Sequence, residues 1–311
     1  MTRTRGPLAA GALVVGFLSR TAARRRALLA QVRTDQRQPT ERPAAPGAFR
    51  MSVVIPAYTE AHRISATVAE VRAALAGVGA AEEFEVIVVD DGSLDGTADG
   101  ARAAQADQVL VLPANRGKGA AVRTGVLAAR GRTIAFTDAD LSYPPHQLVR
   151  LLAEVEAGFD VVVGSRKHIE ATTLVQGRRL RELSGRIFNL VTMVVLLGQY
   201  RDTQCGIKAF RSDVARTLFT RARIDGFAFD VELFHLVERD RLSLKEVPVA
   251  LANSETSTVR VGIDAGRMLR DLFRIRWWGY RGLYDRPPAS PPPADRSGPP
   301  GSSPGAWRRR S

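Results

Sequence analysis

The stretch Thr133-Ile-Ala-Phe-Thr-Asp-Ala-Asp140 decides how this chain is expected to fold. Ile134, Ala135 and Phe136 form a short apolar run with the β-branched and aromatic character of a buried parallel strand. Asp138 and Asp140 follow at once, at the carboxyl end of that strand, where open α/β sheets place their ligands. In extended chain, residues i and i+2 point the same way, so both carboxylates are expected to face one hard cation. Such a cation keeps its remaining positions for water and the phosphates of a nucleotide. D-A-D can therefore hold a metal-bound diphosphate or be a solvated turn after a strand, and its neighbours must decide.

Upstream, Met51-Ser-Val-Val-Ile55 is expected as a strand closed by Pro56, followed by a helix over Ile64 to Leu75. Phe84 to Val89 is a second buried strand. It ends in Asp90-Asp91-Gly-Ser-Leu-Asp-Gly96, where Ser93 or Asp95 is expected to cap a helix carrying Ala98 to Ala104. Val109 to Leu112 reads as a third strand, followed by Asn115-Arg-Gly-Lys-Gly119 and a helix through Ala129. Val161 to Val163 is expected to be a fifth, after the strand before Asp138. The alternation predicts an α/β fold, a mostly parallel sheet with helices on both faces.

A dinucleotide-binding domain fails its own test, because the loop after the first strand, Pro56-Ala-Tyr-Thr-Glu60, has no G-x-G-x-x-G. Arg116-Gly-Lys-Gly119 does not complete a phosphate-binding P-loop either, since no Ser or Thr follows Lys118. Its glycines are expected to let backbone approach a ligand or to serve the turn, with Lys118 supplying charge.

The chain has 311 residues and is 45% hydrophobic, enough for one large α/β domain with appended ends. A net charge of +13 points to an anionic partner, and 6% aromatics do not favour a stacking nucleic-acid platform. A single cysteine, Cys205, excludes an internal disulfide and a Cys-rich zinc site. Residues 1–50 read as a basic leader. Its apolar run Pro7 to Leu18 falls well short of the roughly 20 residues a spanning helix needs, and Arg20, Arg24, Arg25 and Arg26 follow it. A membrane-surface element and a disordered leader both remain open there. Residues 51–285 are expected to form the catalytic domain, and 286–311 a disordered Pro-rich tail ending in Arg308, Arg309 and Arg310.

Together, Val54-Ile-Pro-Ala-Tyr-Thr-Glu60, Val88-Val-Asp-Asp-Gly-Ser93, Asn115-Arg-Gly-Lys-Gly119 and Thr137-Asp-Ala-Asp140 resemble an inverting family 2 glycosyltransferase of the Rossmann-like GT-A fold. Val163-Gly-Ser-Arg166, Arg201-Asp-Thr-Gln-Cys-Gly-Ile-Lys208, Phe227-Ala-Phe-Asp-Val-Glu232 and Glu246-Val-Pro-Val249 are similar to the dolichyl-phosphate β-glucosyltransferase subgroup. The resemblance covers roughly Met51 to Tyr280. It implies that Pro56, Ala57, Tyr58, Glu60 and Asp91 hold the uridine of UDP-glucose, with Lys118 close by. It also implies that Asp138 lies against ribose and diphosphate and that Asp140 ligates Mg²⁺ or Mn²⁺ directly, the two forming the metal motif. Arg166, Arg181 and Arg186 would meet the phosphate of a polyprenyl-phosphate acceptor, and Asp202, Gln204, Asp230 and Glu232 would line the acceptor side. Departures from the family pattern are Thr59 for Asn, Leu141-Ser-Tyr143 for small and acidic residues, and Thr258 for Lys, where Arg260 is a substitute cation.

Displacing UDP develops negative charge on the leaving diphosphate, which a metal and nearby cations stabilise. A lipid phosphate monoester, with a second pKa near 6, is already largely ionised at neutral pH, so arginines that position it matter more than a base. Asp202 and Asp230 are then either bases or orienting groups. Arg186 to Leu197 is apolar on more than one face, too short to span a bilayer, and reads as an interfacial acceptor helix or as core. Met268 to Tyr280 alternates Arg with Leu, Phe, Ile and two adjacent Trp, a pattern suited to an anionic membrane surface or to a helix packed on the sheet. The expected protein is a peripheral enzyme on the cytoplasmic face of the membrane. Its rivals are mannosyl transfer from GDP-mannose, transfer to a polysaccharide or small glycoside, and a non-catalytic nucleotide-sugar-binding scaffold. A glycoside hydrolase is disfavoured, because adjacent D-x-D carboxylates cannot flank a scissile bond.

Overall fold

The computed structural model describes residues 39, 41–166, 205–252 and 261–285. Among them, seven strands form one sheet in the order β3-β2-β1-β4-β6-β5-β7. The strands are β1 (Phe49–Ala57), β2 (Phe84–Asp90), β3 (Gln108–Val111), β4 (Gly131–Phe136), β5 (Val161–Ser165), β6 (Lys208–Arg211) and β7 (Leu244–Pro248). β6 runs antiparallel to both β4 and β5, and the other pairings are parallel. The helices are α1 (Ile64–Ala76), α2 (Thr97–Ala103), α3 (Lys118–Ala128), α4 (His146–Glu156), α5 (Ser212–Arg221), α6 (Phe229–Arg239) and α7 (Val261–Tyr280).

Alternation along the strands divides the core in two. Val54, Ile87, Val89, Ile134, Phe136 and Phe210 meet α3, α5, α6 and α7 on one face. Met51, Val53, Ile55, Val86, Val88 and Ala135 meet α1, α2 and α4 on the other. Because both faces are covered, the inner strands read as unbroken apolar runs rather than alternating ones.

Two features depart from expectation. Pro56 does not close β1, which continues to Ala57 in register with Val89 and Asp90 of β2. Val54 accepts from the Thr137 amide, so Pro56, two residues on, turns its missing N–H to the side where the β4 ladder has ended. The second is β6, a four-residue strand that begins with a buried lysine and therefore carried no strand pattern.

α3 carries Lys118 to the carboxyl edge of the sheet, and its height above β1 and β2 is set at Gly125. A Cβ there would run into the Val54 and Val89 side chains. Gly125→Ala is expected to lower the thermal midpoint by several degrees, because overpacking of about 1–3 kcal/mol outweighs the roughly 1 kcal/mol gain in helix propensity. An unchanged or raised midpoint would mean that α3 can lift off the sheet.

Candidate active site

The loops after β1, β2, β3 and β4 meet at one edge of the sheet. The first two are latched to each other: the Thr59 amide donates to Ser93 Oγ at 2.9 Å, and the Glu60 amide to Thr97 Oγ1 at 2.9 Å. Asp95 accepts from the Ala61 and Thr97 amides, so it serves the start of α2, whereas Ser93 is committed to the β1 loop. Tyr58 is half exposed at the rim. Burial pushes the Glu60 carboxyl up, opposed by Arg63 at 2.9 Å and reinforced by the charges of Asp140 and Asp95.

Asp91 is buried, and its two carboxylate oxygens accept from the Arg116 amide at 2.9 Å and the Gly117 amide at 2.7 Å. Burial pushes its carboxyl up even against these two bonds. On the other side of the same loop stands Asp225, from the turn between α5 and α6. It pairs with Arg116 at 3.0 Å and with Arg123, and its carbonyl accepts from the Ala120 amide. Gly117, at φ +107°, and Gly119 leave no room for a Cβ, which would strike the Asp225 and Ile224 carbonyls. These glycines let protein backbone approach the loop, where a ligand had been one expectation.

Held in this way, Lys118 forms an ion pair with Asp138. Burial works against the charge of Lys118, but Asp138 first, then Asp230 and Asp140, outweigh it and hold the ammonium above its ordinary range. The D-A-D segment is not extended. β4 ends at Phe136, the Leu141 amide closes a turn on the Asp138 carbonyl at 3.1 Å, and Leu141 adopts φ +46°. The argument from i and i+2 therefore fails in its geometry. Asp138 is turned toward Lys118 and Gly206, and Asp140 accepts from Ser142 through both its amide and its hydroxyl, at 2.9 and 2.8 Å. Both acids nevertheless act on Lys118, so the turn delivers them to one locality.

Asp230 lies buried in the first turn of α6 and receives Lys208 Nζ at 2.7 Å. Burial pushes its carboxyl up, against Lys208 and Lys118. Glu232, from the same segment, makes different contacts. It sits i+2 from Asp230 and hence on the far side of α6, fully buried, accepting from the Arg223 and Ile224 amides and from Tyr284 Oη at 2.8 Å. It anchors the turn before α6. Arg166 is exposed directly after β5, at the carboxyl edge. Arg181, Arg186, Asp202, Gln204, Thr258 and Arg260 lie outside the described residues, as do the interfacial helix expected over Arg186 to Leu197, most of the leader and all of the tail.

Lys208, Gly206 and Asp225 escaped the sequence reading. Lys208 and Gly206 stood inside a quoted motif, and a lysine in a run of otherwise apolar residues was the available signal; Asp225 had none. For a divalent cation the donor set fits. Asp140, partly exposed, and Asp138 offer hard oxygens at one edge. Among the described residues no three His, Cys, Asp or Glu side chains converge on one point.

The Glycosyl transferase family 2 model matches residues 52–219. Dolichyl-phosphate β-glucosyltransferase of Drosophila melanogaster is 36% identical over 248 residues, covering 75% of this chain and 76% of that protein. The proteins of the same name from Saccharomyces cerevisiae and Homo sapiens are 30% and 31% identical, over 75% and 73% of this chain and 76% and 75% of theirs. Among solved structures, glucosyl-3-phosphoglycerate synthase from Mycobacterium tuberculosis in complex with Mn²⁺, UDP-glucose and phosphoglyceric acid aligns with a TM-score of 0.57. The two are 23% identical, over 74% of this chain and 80% of that one. With the sheet order, the clustered acids and lysines and these matches together, the chain belongs to glycosyl transferase family 2 and has the GT-A fold.

Proposed function

We propose that this enzyme transfers glucose from UDP-glucose to a polyprenyl phosphate, with inversion, at the cytoplasmic face of an anionic membrane. The observation that carries this is the 36% identity to a dolichyl-phosphate β-glucosyltransferase across three-quarters of both chains. In this reading Pro56, Ala57, Tyr58, Glu60 and Asp91 hold the uridine, and Arg166, Arg181 and Arg186 receive the acceptor phosphate. Mg²⁺ or Mn²⁺, held by Asp140 with Asp138 beside it, would supply positive charge to the diphosphate. Lys118, already facing Asp138, exchanges that carboxylate for the charge that grows on the leaving group. The attacking oxygen belongs to a phosphate that is ionised before it arrives, so no side chain has to remove a proton. Pairing of Asp230 with Lys208 favours this over a base-dependent sugar acceptor, because a carboxylate engaged in an ion pair is poorly placed to collect a proton.

Attachment to the membrane fits α7. Leu272 and Ile275 turn inward, whereas Phe273, Trp277 and Tyr280, spaced i, i+4 and i+7, form one exposed stripe. Arg281 lies over the Trp277 ring at 4.9 Å, and Arg270 and Arg274 are also largely exposed. Of the two adjacent tryptophans only Trp277 faces out; Trp278 packs against the core and Tyr284. No helix among the described residues is long and apolar enough to cross a membrane. Aromatics flanked by arginines suit the headgroup region of an acidic bilayer.

Two measurements test this. Supplied with labelled UDP- and GDP-sugars and a polyprenyl phosphate, the enzyme is expected to label organic-extractable lipid from UDP-glucose. EDTA should abolish the signal, and Asp140→Asn should lower it by about a hundredfold or more at unchanged circular dichroism. Label from GDP-mannose would move the donor, and transfer to soluble acceptors alone would sink the lipid half. In flotation with vesicles containing about one-third phosphatidylglycerol, the chain should bind, and Phe273→Ser/Trp277→Ser/Tyr280→Ser should bind about tenfold less tightly. Equal flotation of the two proteins would remove α7 from the membrane contact.

A further inference from the structure

Lys208 is fully buried at the start of β6, in register with Phe136, the last residue of β4. Its Nζ donates to Asp230 Oδ1 and to the Cys205 carbonyl, both at 2.7 Å, and lies 5.5 and 5.8 Å from the centres of the Phe136 and Phe234 rings. A lysine in such surroundings needs a reason, because burying a charge is costly unless it is paired and hydrogen-bonded. Both of its bonds lead back to the candidate active site. The Cys205 carbonyl opens the turn whose next residue, Gly206, abuts the Asp138 carboxylate so closely that a Cβ would collide with it. Asp230 is felt by Lys118, the same lysine that pairs with Asp138.

Two lysines and two aspartates are thus arranged so that either aspartate could compete for Lys118. We infer that Lys208 is a positioning residue: by satisfying Asp230 and holding the Cys205-Gly206 turn, it reserves Lys118 for Asp138 and for the diphosphate of the donor. This rests on the glycosyl-transfer reading for the identity of that diphosphate. Without Lys208, the buried carboxylate of Asp230 is left with the charge of Lys118, which already acts on it, and the pull on Lys118 turns away from Asp138. The charged groups that act on Asp230 are Lys208 from β6, which bonds it, and Lys118 from α3 and Asp138 from the turn after β4.

The test uses the full chain and reads nucleotide binding by calorimetry as well as turnover. UDP and GDP are offered side by side, so that a wrong donor assignment shows as a different nucleotide bound by the wild type, and the variants are then compared with that nucleotide. Lys208→Met is expected to weaken nucleotide binding about tenfold and to raise the donor KM more than it lowers kcat. In this variant nucleotide binding should recover as pH falls, because a protonated, neutral Asp230 no longer draws Lys118; the wild type should show no such recovery. Adding Asp230→Asn to Lys208→Met removes the competitor and should restore binding to within about threefold of wild type. Wild-type binding by Lys208→Met would overturn the inference. So would a Lys208→Met/Asp230→Asn protein with a wild-type melting midpoint that still fails to bind, since Lys208 would then act on the ligand itself. If Lys208→Met alone does not fold, the neutral pair decides by the same criterion.

Discussion

The ion pair between Lys118 and Asp138 is the contact on which the arrangement of this edge depends. Its partners come from different crossovers, and neither is placed by its own element alone. Lys118 is the first residue of α3, whose distance from the sheet is set at Gly125 and whose approach loop is gripped by Asp91 from β2 and Asp225 from the α5–α6 turn. Asp138 leaves β4 on a tight turn and is backed by Gly206. Unit charges about 4 Å apart attract by about 4 kcal/mol near a protein surface, enough to order two side chains and little enough to yield to a more highly charged diphosphate. A pair of this strength holds a lysine in readiness without trapping it.

How far the sequence revealed this depends on whether a feature is local or relational. Strands β1, β2, β4 and β5 were legible because a parallel strand covered on both faces has to be apolar throughout. The ends that carry chemistry were legible too, since Asp91, Lys118, Asp138 and Asp140 are polar residues placed abruptly after such runs. Their directions were not. The extended geometry assumed for Asp138 and Asp140 gave way to a turn because Ser142 supplies two donors to Asp140 and Tyr143 is drawn into the core. Ser142 and Tyr143 were visible as departures from the family pattern, but what they do to the backbone was not.

Asp230 and Glu232 show how one motif can serve two sets of contacts. Asp230 and Glu232 share a segment, yet a helix sets residues two apart on opposing faces, so one reaches the lysines of the site and the other closes the turn before α6 against Tyr284. Burial pushes both carboxyls up, which makes them look alike electrostatically; their partners separate them. Asp225 carries no such signature in the sequence. Its importance lies in the carbonyl that only Gly117 and Gly119 can pass and in the two arginines it joins, relations that exist only after the chain has folded.

The same distinction explains why a charged pair is kept where an apolar one would pack more cheaply. Replacing both members of a buried ion pair by apolar groups is often neutral or stabilising, whereas removing one leaves an uncompensated charge that costs about 3–5 kcal/mol. Stability alone therefore gives little reason to retain Lys208 and Asp230 beneath the ring of Phe136. Their position supplies one. Lys208 lies against the ring of Phe136, two residues before Asp138, and the charge of Asp230 acts on Lys118. A site that must bind a dianionic leaving group needs local positive charge that is not spent on internal acids. With the deeper pair closed on itself, the outer lysine keeps a partly exposed ion-pair partner, Asp138, that a phosphate can displace.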